Sequence, residues 1–161
     1  MALVKASLQG AIINMMSSFN KVGTTNAKNL ANAIADYWSM GMSNLGGVPN
    51  PAPCKPIMIA GFIDANSGNK TSVSAAGKIA DAIDNGFLAI IISGGKHGMG
   101  GIASTQKAIL KSGAIDALAI SKNYTDYAKK LAQAIDDYTK AGQVYGSGVG
   151  PDFVPPSGPL T

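Results

Sequence analysis

The only histidine of the chain, His97, stands beside Lys96 in the stretch IIISGGKHGMGGIAS, where five glycines crowd one turn. An apolar run, a glycine-rich turn and then a helix start is the order in which backbone amides can hold a phosphate. Gly98, Gly100 and Ala103 fit the relaxed G-x-G-x-x-A spacing of dinucleotide folds. The Walker spacing is missing, because no Gly-Lys-Ser/Thr follows correctly placed glycines, and no acidic residue ends a following strand to hold a ribose. Gly94, Gly95, Lys96, His97 and Gly98 therefore form the one candidate ligand loop. Its stronger reading is structural, since glycines chiefly serve tight turns.

Catalysis by His97 needs a nucleophile or an orienting carboxylate; Ser93, Ser104 and Asp116 are candidates, and nothing in their spacing requires the meeting. The single cysteine, Cys54, excludes an intramolecular disulfide and a multi-cysteine metal site. Lying between Pro53 and Lys55 with no evident base, it reads as a small buried residue. Asp81 with Asp84, and Asp136 with Asp137, are the candidates for a carboxylate pair. On helices with apolar stripes they read as the wet face. All 13 basic residues are Lys and all 9 acidic residues are Asp. Without Arg the bidentate fork for phosphates and carboxylates is missing, and without Glu a common general acid/base is missing too. The expectation is a protein that is not an enzyme and carries no cofactor or metal.

Charged residues make up 14% of the 161, against a usual value of about 25%. The net charge is +4, but apart from Lys129-Lys130 the lysines are scattered singly, so sequence-specific nucleic-acid binding is not expected. No run approaches the ~20 apolar residues of a membrane span. MALVKASLQGAIINMMSSF resembles a leader, yet Ser7, Gln9 and Asn14 interrupt it at helical spacing, so a retained helix is expected.

The elements can be read from periodicity. Leu8, Ile12, Met15, Met16 and Phe19 predict an amphipathic helix over 3–19. Thr24, Thr25 and Asn26 offer caps for a second helix that stops near Gly41. NLGGVPNPAPCKP reads as a linker or strap. IMIAGFI suggests a short strand or a buried helical turn, and FLAIIIS reads as a buried strand by its branched residues, while periodicity alone leaves a buried helix open. A last helix is predicted over 125–141, and the Gly/Pro-rich end, 143–161, reads as an extended arm that needs a neighbouring surface to hold it.

One helix is written three times, as AKNLANAIADY from Ala27, AGKIADAIDNG from Ala76 and AKKLAQAIDDY from Ala128, at steps of 49 and 52 residues. Periods of this size mark duplicated supersecondary units. The first and third copies share the Asp-Tyr ending and make the more convincing pair. The expected fold is mainly α with a small central β element (α+β). It has an N-terminal helical lobe (1–47), a Pro-rich linker (48–56), a mixed centre with a second, related helical lobe (57–142) and the arm (143–161). Alanines flanking large residues suit close docking. The expected interface on the helices is Leu30, Ala31, Ile34, Tyr37 and Trp38, with Leu131, Ala132, Ile135 and Tyr138. On the arm it is Val144, Tyr145, Phe153, Val154, Pro155 and Pro156.

LAxAIDDYxKxGxV followed by the tail VPPSGP resembles small structural proteins of tailed bacteriophages, over 127–159 with a fainter echo over 1–47. The stretch 57–118 has no counterpart in that resemblance, and the duplicated lobe departs from it. The resemblance implies a virion structural protein of a neck, tail or baseplate, assembled in the host cytoplasm. Its partners would be copies of itself and other virion structural proteins, and no catalytic residue carries over.

Overall fold

The computed structural model describes residues 3–17, 23–43, 46–68, 71–94, 99–147 and 160–161. In chain order these form α1 (Lys5–Ser17), α2 (Gly23–Ser39), β1 (Val48–Asn50), α3 (Cys54–Asn66), α4 (Ser72–Leu88) and β2 (Ile91–Ser93). After these come β3 (Met99–Ala103), α5 (Lys107–Ile120), α6 (Tyr124–Lys140) and β4 (Gln143–Ser147). The fold is mainly helical with a small antiparallel sheet in the order β1-β2-β3-β4.

The three written copies are α2, α4 and α6, and the helices before them repeat as well. Their buried residues recur at i, i+4 and i+7: Leu8, Ile12 and Met15 on α1, Met58, Phe62 and Ala65 on α3, Leu110, Ala114 and Ala117 on α5. That spacing presents one narrow stripe per helix. The chain is thus three helix-helix-strand units, not two lobes around a mixed centre. Each helix packs on the next, and α1 also packs on α6, which closes a ring of six. One hydrophobic core runs through all three units.

Some expectations hold only in part, for identifiable reasons. The stretch 57–63, expected as a short strand or a buried helical turn, is helical and lies inside α3, and the 48–56 linker is β1 plus the first residues of that helix. Pro56 misleads. It is the third residue of α3, where the missing N–H would have no intrahelical partner anyway. The predicted strand over 87–93 is divided: Phe87 and Leu88 finish α4, and β2 is only Ile91–Ser93. Caps match sequence chemistry elsewhere. The Thr71 side chain accepts from the Ser74 N–H at the start of α4, and Asn123 accepts from Asp126 N–H at the start of α6.

Strands β1, β2 and β4 each come after the inner helix of a unit, and β3 turns back between two of them. Pro49, Ile92, Ile102 and Val144 point into the core from the sheet. The chain's last residues are also tied to its own body: Thr161 and Met42 exchange two backbone hydrogen bonds, 2.9 and 3.1 Å, and Leu160 is buried against Gly41. The arm is therefore held by the chain itself at both described ends, 143–147 and 160–161. Phe153, Val154, Pro155 and Pro156 lie outside the described residues.

Candidate functional site

The expected helical interface is interior. Leu30, Ala31, Ile34, Tyr37, Trp38, Leu131, Ala132, Ile135 and Tyr138 are all buried, as is Val144. The alanine-flanked faces do receive a close neighbour, but it is another helix of the same chain. The corrected role of these residues is to close the ring.

Where α2, α4 and α6 end, beneath the sheet, repeat-equivalent side chains converge. Trp38, Phe87 and Thr139 occupy one position of the repeat. The Trp38 and Phe87 rings stand 5.2 Å apart, and Trp38 Nε1 donates to Thr139 Oγ1 at 3.0 Å. Around them two phenol-carboxylate hydrogen bonds link the three inner helices. Tyr37 Oη on α2 donates to Asp136 Oδ1 on α6 at 2.5 Å, and Tyr138 Oη on α6 donates to Asp84 Oδ1 on α4 at 2.5 Å. Lys140 Nζ meets the other Asp136 oxygen at 2.9 Å, and Lys107 Nζ reaches Asp84 at 3.2 Å. Asp84 and Asp136, expected on the wet face, are thus structural acceptors; Asp136 is only 3% exposed. Burial, then the adjacent carboxylate, pushes both phenols far above their ordinary range. These tyrosines stay neutral donors and cannot act as bases near neutral pH. The sequence showed the two donors in the repeated Tyr37 and Tyr138, but a helical wheel cannot distinguish a wet carboxylate from one, such as Asp84 or Asp136, that accepts from a neighbouring phenol.

The ligand loop loses its helix. Gly94 is described, with a positive φ of 82°, while Gly95, Lys96, His97 and Gly98 lie outside the described residues. The next described element along the chain is β3, which pairs antiparallel with β2. A phosphate site of the expected strand-loop-helix type needs that helix N-terminus. Helix α5 begins only at Lys107. Cys54 is fully buried, its Sγ 2.7 Å from the Pro51 carbonyl oxygen, and burial pushes the thiol up to about 11. A thiol so protonated is a poor nucleophile. Among the described residues no group of three His, Cys, Asp or Glu could hold a metal ion, and no helix is long and apolar enough to cross a membrane.

Surfaces facing outward come in two kinds. The first is a set of grooves between the helices of each unit, at repeat-equivalent positions: Ala11 and Ala33, Gly61 and Ala82, Gly113 and Ala134. A Cβ on Gly61 or Gly113 would collide with the facing alanine, so glycine lets those two helix pairs close. The polar groups above differ. Asn14 and Asn29 line the first groove, Lys78 pairs with Asp64 at 2.5 Å in the second, and Lys130 in the third turns to Asp126 at 2.9 Å. The three grooves share a shape but not a chemistry, so they are not copies of one ligand site.

The second is the outer face of the sheet. Val48, Asn50, Ile91, Ser93, Gly101, Gln143 and Tyr145 belong to the register that alternates with the core-facing one, and none is charged. Val48 is 51% and Tyr145 54% exposed. The Tyr145 ring lies across Gly101, where any Cβ would meet it. Of the expected interface residues that are described, Tyr145 alone faces outward. No protein-family model matches the chain, and comparisons with curated proteins and with solved structures find no match.

Proposed function

We propose that the chain is a non-enzymatic structural subunit of an assembly of the tailed-phage kind, a part of a neck, tail or baseplate. It docks on copies of itself or on other virion proteins through the outer face of its sheet. The observation that carries this is the uncharged sheet face with Val48 and Tyr145 exposed. Charge-poor surfaces with an aromatic anchor lose little on desolvation and gain apolar contact when covered. Strand β1 is a sheet edge of three residues, which adds open backbone groups beside the same face.

The test is sedimentation velocity over a concentration series, together with the stoichiometry of what copurifies. Self-association or a fixed-ratio complex should be lost in Val48→Lys/Tyr145→Lys while the melting temperature stays unchanged. A thermal-shift screen against nucleotides and phosphosugars runs beside it. Specific stabilisation lost in Lys96→Ala and His97→Ala would overturn the proposal in favour of a ligand-binding protein.

A further inference from the structure

The end of the ring opposite the sheet is hollow. A cavity of about 390 Å³ opens there, and each of the six helices contributes to its wall: Met15, Leu30, Phe62, Ile79, Ala117 and Tyr127. At the sheet end the axis is filled by Trp38 and Phe87, whereas here the lining includes Ala27 and Ala117 where bulkier side chains would close the space. The volume exceeds the ~150 Å³ that suffices for benzene in an engineered apolar cavity, and falls in the range of about 300 to 1,000 Å³ typical of small-molecule sites.

Two features of the wall define what fits. Among the described residues no lining residue is charged, in a chain with 22 charged residues in total (13 Lys and 9 Asp). An ion entering would lose hydration with no described charge opposite it to compensate. The polar groups that do line the wall include a hydroxyl without a partner: Ser121 Oγ is buried and makes no hydrogen bond. Burial pushes the Tyr127 phenol beside it up to about 12. Buried polar atoms are nearly always paired with protein or water, so an orphan at a cavity wall points to a missing partner. Tyr124, half exposed, and Leu118 stand at the rim.

We propose that this cavity binds a small uncharged molecule with an apolar body and one hydrogen-bonding head, the head meeting Ser121 Oγ and the body lying along Met15, Phe62 and Ile79. This goes beyond the docking role and is independent of it, since the cavity and the sheet face lie at opposite ends of the ring.

The probes are 1-octanol, octanoate and octylammonium, matched in chain length and differing in charge, titrated into the full chain by ligand-observed NMR and thermal shift. 1-Octanol should bind saturably, one per chain, and raise the melting temperature; the two ions should bind at least about ten-fold more weakly, because neither finds a counter-charge. Ser121→Ala should weaken octanol about five-fold, the loss of one neutral hydrogen bond. Ala117→Leu, which fills the cavity, should abolish binding. Leu118→Trp provides the same block from the rim, where a failure to fold is not expected. The proposal is overturned if 1-octanol shows no saturable binding, if octanoate binds as tightly, or if Ser121→Ala and Leu118→Trp both bind it like the unaltered chain.

Discussion

Replacing Tyr37 by Phe removes one hydroxyl from the interior and should reveal itself twice. At neutral pH the loss is the 2.5 Å hydrogen bond to Asp136, a carboxylate only 3% exposed that keeps Lys140 as its remaining partner. Hydrogen bonds to charged groups contribute about 1.5–3 kcal/mol, so a loss of about 2 kcal/mol is expected. For a chain of this size that lowers the melting temperature by roughly 4–8 °C. In alkali the sign is set by the raised phenol. The folded state holds the Tyr37 proton well above the ordinary phenol value near 10, so between those values the unfolded chain has released a proton that the folded chain still binds. Stability is therefore fully present below about pH 10 and falls above it, by about 1.4 kcal/mol per pH unit for each such tyrosine. Tyr138 and Tyr127 contribute in the same direction, as does Cys54 from a lower starting pH. Urea unfolding of the parent and Tyr37→Phe from pH 7 to pH 11 isolates one tyrosine as the difference in slope. If the two chains lose stability in parallel above pH 10, and differ by less than about 0.5 kcal/mol at pH 7, the phenol-carboxylate bond has been misjudged.

Gly113→Val should destabilise by several kcal/mol, because its side chain must displace α6 at Ala134, while Gly10→Ala, with open space around it, should be neutral or slightly stabilising; circular dichroism melts compare the two. Deleting Leu160 and Thr161 removes a fully buried leucine and the two backbone bonds to Met42, and should lower stability by about 2–4 kcal/mol in urea titration. Ala35→Asp buries a carboxylate opposite Gly86, which has no phenol to donate to it, and should cost about 3–5 kcal/mol near neutral pH, with part regained as the pH falls and the group is protonated.

The helical half of this fold was legible because its signal is local. The spacing of Leu8, Ile12 and Met15, and the copies starting at Ala27, Ala76 and Ala128, needed no knowledge of neighbours. What the sequence concealed was which surface each stripe meets. Ala31, Ala132 and their flanking Leu and Ile residues look the same whether the partner helix belongs to another subunit or to the next unit along the chain. The outer helices concealed the repeat for a related reason. Leu8, Met58 and Leu110 keep the same positions while the residues between them do not, so the pattern survives as burial and not as a string. For the candidate sites, the sheet face was legible only in Tyr145, and the axial cavity not at all, because its wall takes residues from six helices far apart in sequence.

The three units differ most where they should be most alike, and the differences are coupled. A threefold cycle of phenol-carboxylate bonds would run from α2 to α6, from α6 to α4 and from α4 back to α2. The first two links exist, as Tyr37 to Asp136 and Tyr138 to Asp84. The third would join positions 86 and 35, and the chain has Gly86 and Ala35 there. Losing either partner alone would be costly: an aspartate at 35 would be a buried unpaired charge, and a tyrosine at 86 would bury a phenol without an acceptor. Losing both replaces a polar link by apolar contact, and Met58 of α3 occupies the space that a side chain at Gly86 would need.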